Sequence, residues 1–322
     1  MSEERVSLYD APVVAHVVRS GFVESVHHGS VVALDAQGSI LLTVGDVAGP
    51  IFPRSSSKPI QALAMLRAGL DLDGELLALA AGSHSGESFH LEGVRRILAG
   101  AGLREQDLQN TPDLPYDELE RTAWIASGRG ATSLAQNCSG KHAAMLATCV
   151  AAGWDTATYL EPKHPLQLLI AQTLIELSGE PAAASGVDGC GAPVMAVSLT
   201  GLARVFSRFA TAPEGTDEAR VAAAIRAYPQ WLGGTGREVT ALIRGVPGLI
   251  AKDGAESVYA VGLSDGRGVA LKIADGAQRA RPVVMAAALR RLGIDAEVLD
   301  ELAHAPVLGH GEPVGSVEAV GI

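Results

Sequence analysis

Strand-like segments stand towards the two ends of this chain, and helix-like segments fill the middle. Near the N-terminus, "SVVALDAQGSILLTVGD" (Ser30 to Asp46) is β-branched on both sides of an Ala-Gln-Gly turn and predicts a β-hairpin. Far along the chain, "TALIRGVPGLIAKDG" and "SVYAVGLSDGRGVALKIADG" read as strands with a hairpin at Asp265-Gly266, and Pro282–Leu292 reads as a closing helix. The economical solution is one antiparallel sheet assembled from both chain ends, with helices packed on it.

The middle carries the helical period. Ile60, Leu63, Ala64 and Leu66 mark a helix from Pro59 to about Gly69. Further helices are predicted over Glu92–Ala101, from about Gly140 to Gly153, through "HPLQLLIAQTLIELSG", and over Ser198–Ala212 and Glu218–Tyr228. The expected organisation is a single catalytic domain over residues 1–322. Its sheet lobe would cover about 20–50 and 240–322, and its helical lobe about 55–235.

Bulk properties exclude some classes. With 48% hydrophobic residues in 322, there is ample material for a core. A net charge of −11 argues against a nucleic-acid partner, which needs a basic surface. No run of roughly 18 apolar residues suggests a membrane span. The opening "MSEERVSLYDAPVV" lacks a basic-then-apolar leader, and the odd set Cys138, Cys149 and Cys190 fits a reducing compartment better than a disulfide scaffold. The expected localisation is cytoplasmic.

Four short constellations could carry chemistry. In "FPRSSSKPIQALAML", Ser55 and Lys58 are three apart and can share a helical face, as a nucleophile and its base need. The competing reading is a serine-rich helix cap, with Ser57 capping and Pro59 in the first turn. In "AGSHSGESFH", hydroxyls, His84 and Glu87 crowd a loop that either serves an active site or only joins two helices. In "NCSGKHAAML", Cys138 and Lys141 repeat the nucleophile-plus-lysine spacing at a helix N-terminus, a setting that favours thiolate. "GVDGCGAP" is a tight glycine-rich turn holding Asp188 and Cys190. Two thiols in two such turns could make half a zinc site, although neither lies in a CxxC pair. Cys149, inside "AAMLATCVAAG", reads as a packed core thiol. Lys252, at the end of an apolar strand, is either solvated or presents its charge beside Ser55.

Taken in order, "RSSSKPIQALAML", "GSHSGE", "NCSGKHAAML" with a later "HP", "DGCGAP" and "AKDGAESVYAVGL" resemble the Rhizobium-type L-asparaginases, also called class 3 or the asparaginase II family. The likeness runs from about Phe22 to Gly276. It implies an α/β (α+β) fold of the serine β-lactamase and glutaminase type. It also implies hydrolysis of the side-chain amide of L-asparagine to L-aspartate and ammonia, by a homodimer. Carried over by motif, the nucleophile falls on Ser55 with Lys58 as its partner, and Ser83 pairs with Lys252. A zinc ion would be held by Cys138, Lys141 and Cys190, with Arg54, His142 and Asp188 on the substrate side. The ion is expected to help place the substrate's α-amino and carboxylate groups and not to activate the nucleophile. The chain departs from the family pattern in its third serine, its "SHSG" and a shorter C-terminus, none of which removes a named residue. Alternatives are a zinc-dependent amidohydrolase using metal-bound water, a penicillin-recognising serine hydrolase on the same fold, and a non-catalytic amino-acid binder.

Overall fold

The computed structural model, which describes Leu8 and residues 10–322, joins the two ends of the chain in one antiparallel sheet. The opening residues 1–7, on which the leader expectation largely rests, lie outside the described residues. In chain order the strands are β1 (Val13–Arg19), β2 (Phe22–Leu34), β3 (Ile40–Val44), β4 (Pro50–Ile51), β5 (Ala184–Val187), β6 (Pro193–Ser198), β7 (Ile250–Gly254), β8 (Val258–Gly262), β9 (Gly268–Ile273), β10 (Ala305–Gly309) and β11 (Glu312–Ala319). The main sheet has the order β10-β11-β1-β2-β9-β8-β7, with β3 also on β2. The long β2 changes partners along its length. Its first part pairs with β1 (Val17↔Ser25), and from Gly29 onwards it pairs with β9 (Val31↔Leu271) and β3 (Val32↔Thr43). A second, three-stranded sheet, β4-β6-β5, sits within the helical part.

The helices are α1 (Lys58–Arg67), α2 (Gly74–Ala80), α3 (Ser88–Gly100), α4 (Glu118–Ala126), α5 (Ser139–Ala152), α6 (Pro165–Ser178), α7 (Leu199–Ala210), α8 (Asp217–Ala227), α9 (Pro229–Leu232), α10 (Glu238–Gly245), α11 (Arg281–Arg291) and α12 (Val298–Ala303). Every residue of α1 from Lys58 to Leu66 is buried, as expected of a helix that is apolar nearly all round. It packs against α5, α6 and α8 and so runs through the middle of the helical layer.

Strands β8 and β9 are buried at every residue because α7 and α11 both pack on them. Successive strand residues face opposite sides. Ala260 and Gly262 share one face, with Gly262 against the backbone of α7, and Tyr259 lies on the other, under Arg281 of α11. The cross-strand partners Lys252↔Ala260 and Asp253↔Tyr259 therefore place Lys252 on the α7 side and Asp253 on the α11 side. Contact with α7 is closest at a glycine pair. Gly262 faces Gly268 across the hairpin, and a Cβ on either would lie 2.0 Å from Phe206 O or 2.2 Å from Ala203 O.

The hairpins at Asp35–Ser39 and Asp265-Gly266 and the predicted middle helices are present, with ends shifted by a few residues. The helix predicted over Pro282–Leu292 is α11, but it does not close the chain. Helix α12 and the hairpin β10–β11 follow, and β11 pairs with β1 (Val17↔Val317). Those strands were illegible because Pro306, Gly309, Gly311, Pro313 and Gly315 interrupt the alternation that marks a strand. Strand β1 lies before the expected start of the sheet lobe for a related reason. Its "VVAHVVR" run has no clean period-two pattern.

Substituting Gly262→Ala is expected to push α7 off the sheet and cost about 1–3 kcal/mol. A fall of several degrees in melting temperature would show this, and an unchanged melting temperature would reject the packing argument.

Candidate active site

Three adjacent serines occupy a single 3-10 turn, Arg54–Ser57, that runs directly into α1. Their hydroxyls have different fates. Ser56 Oγ donates to the backbone carbonyl of Lys252 at 3.0 Å, tying the turn to β7. Ser57 Oγ donates back to Arg54 O at 2.7 Å and accepts from Gln61 Nε2 at 3.3 Å. Ser57 stands at the N-cap position of α1, yet its hydroxyl caps no forward N–H, because its backbone is already helical. Ser55 lines a cavity shared with Ser83, Asn137 and Asp253, whereas Ser57 faces a separate, mostly apolar pocket with Ile60, Ile170 and Val194. Pro59 falls in the first turn of α1, where its missing N–H costs nothing. The irregularity that the proline implied lies earlier: Arg54 has φ +51°, a strained conformation for a residue with a side chain.

The turn and β7 approach each other at Gly254. A Cβ there would sit 2.7 Å from Pro53 O and 2.9 Å from Ser56 Oγ. Only glycine allows this contact, which brings Asp253 and Gly254 into one cavity wall with Ser55.

Lys58 is fully buried at the start of α1. Its amine donates to Gly82 O (2.6 Å), Ser83 Oγ (2.9 Å) and Cys138 Sγ (3.1 Å). Ser83 is held in place by its own N–H, which donates to Leu232 O at 2.7 Å, while His84 N–H donates to Asn137 O at 3.0 Å. The "SHSG" segment is thus a loop between α2 and α3 that is bolted to two others. The pairing implied for Ser83 with Lys252 is not the one made. Ser83 meets Lys58, and Lys252 Nζ donates to Asp253 O (2.7 Å) and Asp253 Oδ1 (2.6 Å). Burial pushes the Lys252 amine down to about 8, against the pull of Asp253 and helped by Lys58. Although burial opposes it, Lys252, Arg237 and Arg281 hold the Asp253 carboxyl well below the usual carboxylate range. Glu87 turns away and binds Thr235 N (2.8 Å) and Oγ1 (2.6 Å). His84 is buried with Nε2 against Ser139 Oγ at 2.8 Å.

Behind Lys58 the two turns named from sequence meet. Cys138, Cys190 and Ala192 form a small buried cluster, and Lys141 Nζ lies 3.1 Å from Cys190 Sγ. Cys190, followed by Lys58 and Lys141, draws the Cys138 thiol well below its ordinary range. The neighbouring Cys138 and burial push Cys190 up. Burial works against charge on Lys141, but Cys190 and Cys138 hold its amine above its ordinary value. Among the described residues no group of three or more His, Cys, Asp or Glu side chains gathers as a metal site. A cation here would rest on two sulfurs and the Lys141 nitrogen. Arg54 and Asp188 pair with each other at 2.8 Å. His142 is fully buried, with Nδ1 at 2.7 Å from Tyr159 Oη and Nε2 without a partner. Cys149 lies in the core, and burial pushes its thiol up to about 11.

The cavity, of about 60 Å³, lies between the two layers and is lined by Ser55, Ser83, Asn137, Arg237, Asp253 and Arg281, among others. Arg54, His142 and Asp188 are not in its lining. Sequence reading missed Tyr116, Asn137, Arg237, Asp253, Gln278 and Arg281. Asn137 and Asp253 adjoin recognised motifs, and Arg237 follows a cluster of glycines in "GGTGRE". Tyr116, Gln278 and Arg281 carry no local signal.

A family model described as L-asparaginase II matches residues 15–319. No curated protein matches the chain by sequence. Among solved structures, the chain is similar to a β-lactamase from Mycobacterium bovis, at 13% identity and a TM-score of 0.45 over 83% of this chain and 95% of that one. It is also similar to a Bacillus glutaminase, at 13% identity and a TM-score of 0.40 over 82% of this chain and 91% of that one.

A serine-directed fluorophosphonate is expected to label Ser55. Ser55→Ala should abolish labelling. Ser56→Ala should keep it while losing about 1 kcal/mol of stability with the bond to β7. Undiminished labelling of Ser55→Ala would reject the assignment of the free hydroxyl.

Proposed function

Because the chain belongs to the L-asparaginase II family, we propose that it hydrolyses the side-chain amide of L-asparagine through Ser55. The chain is a hydrolase acting on amides. The observation that carries the finer reading is the buried Lys58–Ser83 hydrogen bond in the wall of the cavity that also holds Ser55.

In this reading Ser55 Oγ attacks the amide carbon and its proton passes to the buried amine pair Lys58 and Lys252. Lys252, lowered to about 8, gives the pair a member that is neutral under mildly alkaline conditions. Ser83, bonded to Lys58, returns a proton to nitrogen as the C–N bond breaks and ammonia leaves. Backbone N–H groups at the start of the turn, including that of Ser55, would hold the oxyanion. Water then cleaves the β-aspartyl ester, releasing L-aspartate and restoring Ser55. A cavity of about 60 Å³ falls below the range of drug-sized ligand sites, which favours an amino acid over a penicillin.

Zinc suits two thiol sulfurs and an amine in contact with one of them, on the condition that Lys141, whose amine is held charged by the thiols, gives up its proton to the ion's charge. Cys138, Cys190 and Lys141 would hold the ion. When bound it supplies positive charge and Lewis acidity beside Lys58. A substrate-binding role for Arg54, His142 and Asp188 requires them to give up their present partners, the Arg54–Asp188 pair and Tyr159. Three free cysteines support a reducing, cytoplasmic setting. Exposed Phe22, Val23, Val26 and Leu308 support a homodimer.

Ser55→Ala is expected to lower ammonia release from asparagine by roughly 10³-fold or more while leaving the circular dichroism spectrum intact. Unimpaired turnover would reject the mechanism. Raising the pH through about 8 strips the proton from Lys252, so kcat/KM should rise across that range and then level off. Lys252→Met should lose this limb, and a wild-type profile that falls across the same range would contradict the proposed base. After zinc loading and desalting, wild type should retain about one ion per chain, whereas Cys138→Ser and Cys190→Ser retain none. Chelation should raise KM more than it lowers kcat. Complete loss of kcat with the fold intact would reject the supporting role of the metal.

A further inference from the structure

We propose that Arg237 is the receptor for the substrate's α-carboxylate and thereby restricts the site to amides that carry a free carboxylate. The inference rests on the amidase reading and assigns a residue that no recognised motif contains.

Four basic side chains, Lys58, Lys252, Arg237 and Arg281, surround or underlie the cavity, against two carboxylates, Asp253 and Glu238. An enclosed excess of positive charge is costly unless an anion offsets it. The two guanidiniums are not equivalent. Arg281, only 3% exposed, donates to Gly254 O at 3.0 Å and to Glu238, and its Nε, though without a partner among the described residues, is sealed against Tyr259. Arg237 is 12% exposed and donates through Nη2 to Asp253 Oδ2 at 2.5 Å. Its Nη1 is buried without a partner among the described residues. A buried donor left unpaired is a standing cost that an incoming acceptor relieves.

Its orientation is set from two sides. Asp253 holds one edge of the guanidinium, and Tyr116 lies under its face at 4.4 Å. Tyr116 Oη in turn donates to Gln278 Oε1 at 2.9 Å, so both neighbours of Arg237 at the cavity wall are themselves fixed. A planar fork held in this way suits a carboxylate better than a lysine's point charge would. With Ser55 and Arg237 lining one small cavity, a ligand the size of asparagine can present its amide to one and its carboxylate to the other.

Two amides test this on the wild-type enzyme. L-asparagine carries the α-carboxylate; β-alaninamide is the same molecule without it. Wild type should favour asparagine by roughly 30-fold or more in kcat/KM, as expected for a lost buried charge contact. Arg237→Gln should bring that ratio toward unity, mainly by raising KM for asparagine and with a smaller fall on β-alaninamide. Arg237→Lys should lie between. An equal fall on both amides, or a ratio that does not change, would overturn the assignment while leaving the amidase reading in place. If neither amide is hydrolysed, the amidase reading fails, and calorimetry decides Arg237 separately. Wild type should bind L-aspartate at least about tenfold more tightly than β-alanine, and Arg237→Gln should lose the difference. Equal binding, or no binding of L-aspartate, would overturn the proposal.

Discussion

Strand β7 and the Arg54–Ser57 turn lie closer together than two side chains would allow, and the site depends on that contact. Gly254 makes it possible, with no Cβ to strike Pro53 O, and the Ser56 hydroxyl secures it on the carbonyl of Lys252. The turn belongs to the helical layer and β7 to the far edge of the main sheet. Joining them places Ser55 beside residues some two hundred positions away in sequence (Ser55 to Asp253). The same contact explains the triple serine. Two of the three hydroxyls are consumed in building the turn, and the third is left to the cavity.

Burying amines is the second constraint. Lys58, Lys141 and Lys252 are each about 1% exposed or less. Each has acceptors that make burial tolerable: a carbonyl, a serine and a thiol for Lys58, a thiol for Lys141, Asp253 for Lys252. Charges taken out of water survive only with such partners. The pairing has chemical consequences. Lys252 loses its proton more readily than an ordinary lysine, and the Cys138 thiol is drawn below its ordinary range. Reactivity and stability therefore draw on the same set of contacts.

Much of this was legible before any coordinates. The Asp265-Gly266 hairpin, the helical middle and the grouping of "SSSK", "SHS", "NCSGK", "DGC" and "AKDG" follow from local chemistry or from motif order. Spacing left open which serine is free, because a cap and a nucleophile look alike in sequence. Motif order suggested a Ser83–Lys252 couple, whereas Ser83 meets Lys58 and Lys252 meets Asp253. Lys252 and Asp253 are neighbours that strand alternation sends to opposite faces, so their common contact depends on lysine length, which a pattern does not encode.

By itself the sequence determined the local choices: where helices start, where hairpins turn, and which residue types stand ready for acyl chemistry. Those choices depend on backbone preference and on spacing within a few residues. Tertiary structure alone decided which groups face one another. Tyr116, Arg237 and the pair Gln278 and Arg281 come from three separate stretches, and no local pattern distinguishes them from surface residues. Closing the sheet through β11 on β1 and resting α7 on the Gly262–Gly268 pair bring distant segments into register. Long-range packing sets those positions, because burial is a property of the whole fold and not of any one segment.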